Sequence, residues 1–213
     1  VCSSDLIEKR NVPAALIEQF GIGYSPDSFS ATYDHLLKQG CSRSDIVKAG
    51  LGIQKELEQE KIYDRFRHRI MMPICDAQGV IIGFGGRALG ESDAKYINSP
   101  EGILYNKSTV LFGLHHAKEA IRKEKKVILV EGYFDVIACH KAGIHHVVAV
   151  SGTALTEQHV SILKRYATDV ILALDQDDAG RKAAERSYTL LAPHGLSIST
   201  VHFDGKDPDD IAR

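Results

Sequence analysis

The segments VILVEGYFDV (residues 127–136) and VILALDQDD (residues 170–178) decide the fold of this chain. Each begins with an apolar run that ends at an acid, Glu131 in the first segment and Asp175 in the second. Strands that are apolar throughout are typical of a parallel sheet that is covered on both faces. The two segments therefore predict central strands of an α/β domain, with an acidic side chain directly after each strand.

The sequence around these segments alternates between strand and helix patterns. Such alternation predicts a central, mostly parallel sheet flanked by helices, with right-handed crossovers. Strands are expected at 127–131, 146–150, 169–175 and 197–203, and helices at 133–142, 156–166 and 178–193.

Five acids follow three of these strands: Glu131, Asp175, Asp177, Asp207 and Asp209. The carboxyl ends of parallel strands form the edge where open α/β sheets bind ligands. Mg²⁺ in proteins prefers one or two carboxylates together with water and substrate phosphates, so the pattern predicts a divalent-metal site for phosphate chemistry. The alternative is that these acids cap helices or turns. Asp207 precedes Pro208 and is expected to be partly a cap, and Asp178 is expected to cap the helix after it.

The region before residue 126 has a different, mixed α+β pattern. Three short helices are expected between residues 11 and 51, and a further helix at 114–125. The apolar runs 69–75 and 80–88 predict a β-hairpin around a four-residue loop. Three glycines in its second strand do not open a strand-turn-helix unit, which excludes a dinucleotide or Walker motif. They predict close approach of another backbone or a nucleic acid.

Charge is distributed unevenly along the chain. Residues 61–126 carry 12 basic and 7 acidic side chains, whereas residues 169–213 carry 5 basic and 9 acidic ones. Arg65, Arg67 and Arg69 alternate with other residues in an expected extended run, which would place the three guanidinium groups on one face. Because like charges on one strand face repel, this arrangement favours an anionic partner over the alternative of solvated surface charge.

Several motifs together resemble one known family, the bacterial DnaG-type primases. The upstream motifs resemble the RNA polymerase core of these enzymes, and the downstream motifs resemble a Toprim domain. The upstream motifs are RFRHRIMMPI (65–74), GFGGR (83–87) and KYINSP (95–100). The downstream motifs are EGYFD (131–135), AVSGTALT (149–156), Asp175-x-Asp177 with Ala179-Gly180-Arg181, and GKDPD (205–209).

The resemblance implies a DNA-directed RNA polymerase that makes short primers on single-stranded DNA from ribonucleoside triphosphates, with Mg²⁺ or Mn²⁺ as cofactor. It implies catalytic roles for Glu131, Asp175 and Asp177, with Asp207 and Asp209 as further metal ligands. Glu131 is expected either to bind metal or to act as general acid or base, and the sequence leaves both roles open. The residues expected to bind nucleic acid or nucleotide are Arg65, Arg67, Arg69, Arg87, Lys95 and Lys107.

Two alternative functions stay open at this point. One is a phage- or plasmid-type primase fused to a helicase, which a Walker motif further along the gene would indicate. The other is a Toprim module that binds nucleic acid and is inactive in isolation.

The domain organisation is predicted from the change of pattern near Lys126. Residues 1–126 are expected to form a basic N-terminal subdomain and residues 127–213 a Toprim subdomain truncated at its C-terminal end. Residues 1–6 (VCSSDL) resemble the translated end of a sequencing-library adapter and are expected to be artefactual. The family resemblance then implies an upstream zinc-binding module, the one place where zinc is expected, and a downstream module that binds the replicative helicase.

Cysteine and histidine placement and hydropathy indicate a cytoplasmic protein without a membrane partner. The four cysteines are widely separated and are expected to be buried thiols, not zinc ligands or disulfides. The histidine pairs 115–116 and 145–146 are expected to be surface or structural, because adjacent side chains diverge. No apolar run approaches the roughly 18 residues of a membrane span.

Overall fold

The computed structural model describes residues 11–54 and 61–201, and these form two compact units. The first unit contains residues 17–54, 61–74 and 81–106. The second contains residues 75–80 and 107–201, together with 11–16. Residues 107–126 thus pack with the second unit, although the sequence pattern changes near Lys126. The predicted domain boundary at Lys126 itself stays a prediction.

The first unit combines short helices with two antiparallel sheets. Its four-stranded sheet has the order β1-β4-β5-β6, and β2 pairs with β3. The elements in this part of the chain are α1 (Ala14–Gln19), β1 (Gly23–Ser25), α2 (Ala31–Lys38), α3 (Arg43–Lys48), β2 (Gly52–Gln54), β3 (Ile62–Asp64), β4 (Arg69–Cys75), β5 (Ile81–Ala88) and β6 (Tyr96–Asn98). The three helices confirm the expectation for residues 11–51, whereas the three-residue strands carry too little periodicity to be recognised in the sequence.

The predicted hairpin is confirmed as β4 and β5. Asp76 closes the connection: its backbone amide bonds to the carbonyl oxygen of Val80, and its Oδ1 accepts hydrogen bonds from the amides of Gln78 and Val80, each at 2.9 Å. Gly79 supplies the left-handed backbone at φ 91°. The loop is one residue longer than expected because Val80 joins the turn.

The glycines of β5 are approached closely by side chains of the chain itself. A Cβ atom on Gly83 would lie 3.2 Å from the ring of Tyr105. A Cβ atom on Gly86 would lie 2.7 Å from Cδ1 of Phe66 and 3.0 Å from Cδ of Arg69. The closest approach to these two glycines comes from neighbouring side chains and not from another backbone, and the predicted approach of a nucleic acid stays a prediction.

Asp64 fixes the start of α2 from a distant part of the sequence. Its carboxylate is 1% exposed and accepts hydrogen bonds from the amides of Thr32 at 2.7 Å and Tyr33 at 2.8 Å. Ser30 occupies the cap position of this helix without a side-chain cap bond. A buried carboxylate from β3 thus satisfies the first helical amides.

The second unit is built on a parallel sheet. The sheet order is β10-β9-β7-β8, with β7 and β9 in the centre. Its elements are α4 (Leu114–Glu124), β7 (Lys126–Val130), α5 (Tyr133–Lys141), β8 (Val147–Ala149), α6 (Glu157–Leu163), β9 (Asp169–Leu172), α7 (Asp178–Leu191) and β10 (Ser197–Thr200), with single 3₁₀ turns at Lys107–Thr109 and Ala192–His194. The predicted α/β fold and the central positions of the two apolar strands are confirmed.

An apolar cluster of the second unit packs against one face of this sheet, because its strand members alternate along β7 and β9. Side chains from its strands and from α4, α6 and α7 form one apolar cluster that is almost completely buried. Its members include Leu111, Ile121, Val127, Leu129, Val148, Val160, Leu163, Val170, Leu172 and Leu191. This packing holds β7 and β9 rigidly, so the residues that follow them leave a fixed sheet edge. None of the helices within 11–54 and 61–201 is long and apolar enough to cross a membrane.

Candidate active site

Glu131 and Asp175 come together at the carboxyl edge of the parallel sheet. Glu131 directly follows β7, and Asp175 follows the neighbouring strand β9. The backbone amide of Asp175 lies 3.3 Å from Oε1 of Glu131. The carbonyl oxygen of Glu131 accepts a hydrogen bond from the amide of Ser151, beyond β8, at 3.0 Å. Segments that follow three strands therefore meet at Glu131.

Asp177 is the N-cap of α7. Its Oδ1 accepts a hydrogen bond from the amide of Gly180 at 2.9 Å, and its side chain is exposed. The prediction that Asp178 caps this helix is wrong, because Asp178 lies in the first turn and contacts Arg181 at the surface. Capping through one oxygen is compatible with a second role for the carboxylate, since each carboxylate offers two oxygens.

Gly180 has a positioning role that the sequence analysis missed. A Cβ atom at this position would lie 2.0 Å from the carbonyl oxygen of Asp175, which is far inside van der Waals contact. Only glycine therefore lets the first turn of α7 approach the loop that carries Asp175 and Asp177. The available signal was a glycine in the first turn of an otherwise regular helix, where it has a cost in helix propensity.

The turn after Glu131 is fixed by Asp135. The Asp135 side chain is 8% exposed, and its Oδ2 accepts a hydrogen bond from the amide of Gly132 at 2.9 Å. The segment after β8 contains Ser151 at φ 50° and Gly152 at φ 87°. Left-handed backbone at a residue other than glycine is uncommon and clusters at functional sites. Ser151 is the residue that bonds to Glu131, so this conformation is coupled to the acidic edge.

A pocket of about 550 Å³ opens beside Glu131 within the second unit. Its wall is mostly apolar, and Leu129, Val150, Leu174 and Leu190 contribute to it. Arg186 and Ser187 from α7 add polar groups on one side. This volume falls within the range of about 300–1,000 Å³ that is typical of small-molecule sites.

Three of the five acids predicted to bind metal, Glu131, Asp175 and Asp177, lie among the described residues. Within residues 11–54 and 61–201, no group of three or more His, Cys, Asp or Glu side chains is arranged to hold a metal ion. Asp207 and Asp209 lie outside the described residues. The carboxylate of Glu131 beside Asp175 fits a hard cation in its donor chemistry, since Mg²⁺ requires only one or two carboxylates from the protein.

The arginines of RFRHR do not share one strand face. β4 begins only at Arg69, and His68 has φ 50°, which interrupts the extended run. The predicted alternation is therefore wrong, because residues 65–68 lie outside a strand and their backbone bends. Arg65 donates to the carbonyl oxygen of Asn98 through Nε at 3.1 Å and Nη2 at 2.8 Å. Arg67 donates to the carbonyl oxygen of Asp64 and lies over the ring of Phe29, 4.8 Å from its centroid.

Arg69 is buried, whereas the other predicted basic residues are more accessible. Arg69 is 7% exposed and donates to carbonyl oxygens of its own unit. Burial and the charge of Arg67 lower its pKa. Arg87 in β5 is half-buried, and Lys95, just before β6, is exposed. Lys107 is exposed at the start of the first 3₁₀ turn, in the second unit.

His115, His116, His140 and His145 cluster in the second unit. The ring centroids of His115 and His116 are 3.7 Å apart, so the expected divergence of adjacent side chains is wrong for this pair. Nδ1 of His140 lies 3.3 Å from Nδ1 of His145, and the ring centroids of His116 and His140 are 6.4 Å apart. Burial and, to a smaller extent, neighbouring histidines lower the pKa of His116 and of His140 to about 4. These two side chains are therefore neutral at physiological pH, as expected for structural histidines.

Comparison with known proteins matches one family model to the first part of the chain and a second family model to the rest. The family "DNA primase catalytic core, N-terminal domain" matches residues 3–118, and the family "Toprim-like" matches residues 128–212. The chain is similar to the DNA primase of Clostridium acetobutylicum, with 40% identity over 205 residues that cover 96% of this chain and 34% of that protein. The chain spans about a third of the length of the curated relatives it matches.

Solved primase structures share the fold. A DNA primase domain from Pseudomonas aeruginosa gives a TM-score of 0.90 at 36% identity, covering 98% of this chain and 66% of that one. A DnaG primase catalytic domain bound to ssDNA gives 0.86 at 35% identity, covering 98% and 66%. Each of these matches covers 98% of this chain and therefore includes residues of both units. This chain therefore belongs to the DNA primase catalytic-core family.

Proposed function

We propose that this chain is the polymerase core of a DNA primase, a DNA-directed RNA polymerase that makes short RNA primers on single-stranded DNA. The observation that carries the proposal is the contact between Glu131 and Asp175 at the carboxyl edge of a parallel sheet, with Asp177 on the same loop. Membership of the primase family supports it, as does the related catalytic domain that was solved with ssDNA.

The proposed reaction is nucleotidyl transfer. A 3′-hydroxyl, of the primer or of the first nucleotide, forms a bond to the α-phosphorus of an incoming ribonucleoside triphosphate. The bond from that phosphorus to the bridging oxygen breaks, pyrophosphate leaves, and the hydroxyl proton passes to Glu131 acting as general base or to water. Bound Mg²⁺ or Mn²⁺ would stabilise the charge on the attacking and leaving oxygens.

The acids would hold the cation at the sheet edge. Glu131, Asp175 and Asp177 are the proposed anchors, and Asp207 and Asp209 would complete the acidic face. Glu131 could equally act as general acid or base, because its carboxylate is fixed next to the Asp175 loop but is not enclosed. In either role its position depends on β7, the Ser151 amide and the Asp135 turn.

The basic residues would bind phosphates. Arg87 lies in β5 and Lys95 directly precedes the paired strand β6, where the Ala88 amide bonds to the carbonyl oxygen of Lys95 at 2.9 Å. We assign these two, together with Lys107, to nucleotide or template phosphates, because an exposed or half-exposed cation can reach a polyanion. Arg65 and Arg67 stay candidates for template contacts.

Three further expectations concern the whole protein. A zinc-binding module and a module that binds the replicative helicase are proposed on the strength of the family. A reducing cytoplasm is the proposed location, and the free thiols of Cys41, Cys75 and Cys139 fit it. The relatives reported above are DNA primases, so the primase-helicase and binding-only alternatives gain no support from them.

A ribonucleotide-incorporation assay tests the proposal. The chain is incubated with single-stranded DNA, labelled ribonucleoside triphosphates and Mg²⁺ or Mn²⁺, with EDTA-treated and template-free reactions as controls. We expect short alkali-labile products that require both template and metal. Binding of single-stranded DNA without any incorporation would favour the binding-only module and reject polymerase activity for this chain.

A further inference from the structure

Arg69 uses all of its terminal N–H groups inside the first unit. Nη1 donates to the carbonyl oxygens of Gly86 at 3.2 Å and Ala94 at 3.1 Å. Nη2 donates to Oγ of Ser92 and to the carbonyl oxygen of Ala94, both at 3.1 Å. A guanidinium group carries four terminal N–H donors and one on Nε. These four hydrogen bonds therefore use every terminal donor that a phosphate would need for bidentate binding.

The two peptide groups that Arg69 holds have a specific location. The carbonyl of Gly86 belongs to the peptide bond that leads into Arg87, and the carbonyl of Ala94 belongs to the one that leads into Lys95. One buried side chain thus fixes the backbone directly before each of the two basic residues assigned to phosphate binding. The register of β5 and β6 places Arg87 opposite Tyr96, so these peptides lie at the end of the paired region.

Gly86 gives independent evidence that the position of Arg69 is specified. A Cβ atom on Gly86 would lie 3.0 Å from Cδ of Arg69, tighter than ordinary contact. The aliphatic part of Arg69 therefore crosses the β5 backbone at a point that only glycine leaves open. A glycine inside a strand often marks a site where another group approaches the backbone closely.

We propose that Arg69 is a positioning residue, which fixes the spacing of Arg87 and Lys95 by holding the peptide groups before them. This inference rests on the proposed function, because the tasks of Arg87 and Lys95 are assigned there. Lysine should not replace Arg69, since a single ammonium group lacks the planar fork that bridges two separate carbonyls. Arg69→Lys would keep the positive charge and lose the hydrogen bonds that bridge the carbonyls of Gly86 and Ala94.

A double-mutant cycle tests the proposal through nucleotide kinetics. Arg69→Lys is expected to raise the KM for ribonucleotides about tenfold or more in the wild-type background. In a Lys95→Ala background the same change should cost less than about threefold, because residues that act through one another are not additive. Arg122→Lys changes an exposed arginine of α4, serves as the matched control and should change neither value.

Other outcomes would overturn the proposal. Equal increases in KM in both backgrounds would show that Arg69 acts independently of Lys95. If Arg69→Lys kept normal nucleotide kinetics and Arg69→Ala flattened the salt dependence of single-stranded DNA binding by about 0.7, Arg69 would be a phosphate ligand.

Amide hydrogen exchange decides the matter independently of activity. Arg69→Lys should speed exchange at Ala88, whose amide bonds to the Lys95 carbonyl, while the amides of β7 and β9 keep their protection. Unchanged protection at Ala88 would reject a positioning role. If the wild-type chain makes no RNA, the proposed function fails, and this exchange measurement still decides the role of Arg69.

Discussion

The acidic edge of the second unit and the basic residues of the first unit differ in how they are built. At the edge, Glu131 and Asp175 are placed by two neighbouring parallel strands, and backbone geometry alone brings them together. In the first unit, Arg65 and Arg69 bind carbonyl oxygens that lie far away in the sequence. The positions of the two acids therefore follow from the strands that precede them. The positions of the arginines follow from hydrogen bonds that their long side chains make to residues distant in the sequence. Substitutions should separate the two regions by the size and kind of their effects.

The largest effect is expected at the acidic edge. Glu131→Gln and Asp175→Asn keep the shape of the side chain and remove its charge. Each should lower primer synthesis on the order of 10²-fold or more, comparable to removing a main electrostatic element of an active site. The rate of RNA synthesis on single-stranded DNA measures this, with circular dichroism as the control for folding. Near-normal synthesis by either variant would reject the assignment of that residue.

A smaller but still large effect is expected at Gly180. Gly180→Ala places a Cβ atom against the carbonyl oxygen of Asp175, so the loop that carries Asp175 and Asp177 must shift. A displacement of this kind should lower synthesis about tenfold or more. Gly23→Ala is the matched control, because no atom lies within 4 Å of a Cβ at that position. Equal activities in the two variants would show that the close approach has no functional consequence.

An intermediate effect, specific to nucleotide, is expected at Lys95. Lys95→Ala should raise the KM for ribonucleotides or lower kcat, because lysine serves a triphosphate as a compact point charge. Affinity for single-stranded DNA should change by less than about tenfold. Lys123→Ala, an exposed lysine of α4, is the comparison. Loss of DNA binding with normal nucleotide kinetics would assign Lys95 to the template.

A weaker effect is expected for Arg65 and Arg67, if they contact template phosphates. The double substitution to alanine should weaken single-stranded DNA binding for all sequences. The slope of log K against log salt should fall by about 0.7 for each lost contact. Fluorescence anisotropy over a series of salt concentrations measures this slope. An unchanged slope would show that the two arginines do not contact template phosphates and serve only the internal contacts described above.

The smallest effect concerns stability at low pH. The pKa of His116 and His140 is about 4 in the folded chain, below the ordinary histidine value. The unfolded chain therefore binds more protons between about pH 4 and 6.5, and stability is lost as the pH falls through that window. We expect a lower Tm at pH 5 than at pH 7.5. The variant with both His116→Gln and His140→Gln should lose less on acidification, and an equal loss would contradict the assignment.

Sequence patterns were sufficient to predict the central strands of the sheet. They were not sufficient to predict which partners the polar side chains would bond to. The apolar runs before Glu131 and Asp175 indicated central strands, and both lie in the centre of the sheet. Which aspartate caps α7 was not predictable, because Asp177 and Asp178 are adjacent and either could have bonded to a helical amide. The left-handed backbone of His68 was not predictable, because an alternating sequence resembles a strand whatever its backbone angles are.

Close packing between distant segments was the other feature beyond sequence reasoning. The need for glycine at Gly180 depends on where the Asp175 carbonyl lies, which only the folded chain shows. The burial of Arg69 depends in the same way on Ala94 and Gly86. Family motifs marked these positions as a group, without distinguishing residues that contact a ligand from those that hold other residues in place.

The central claim is that carboxylates fixed at the sheet edge, and not acidity in general, support synthesis. Asp177 and Asp178 provide the most direct test, because they are adjacent, both exposed, and differ in that Asp177 caps α7 on the site loop. Asparagine is as good an N-cap as aspartate, so Asp177→Asn should keep the helix. The measurement is primer synthesis by Asp177→Asn and Asp178→Asn under identical metal concentrations. We predict a loss of about 10²-fold or more for Asp177→Asn and less than about threefold for Asp178→Asn; equal losses, or a larger loss for Asp178→Asn, would contradict the account.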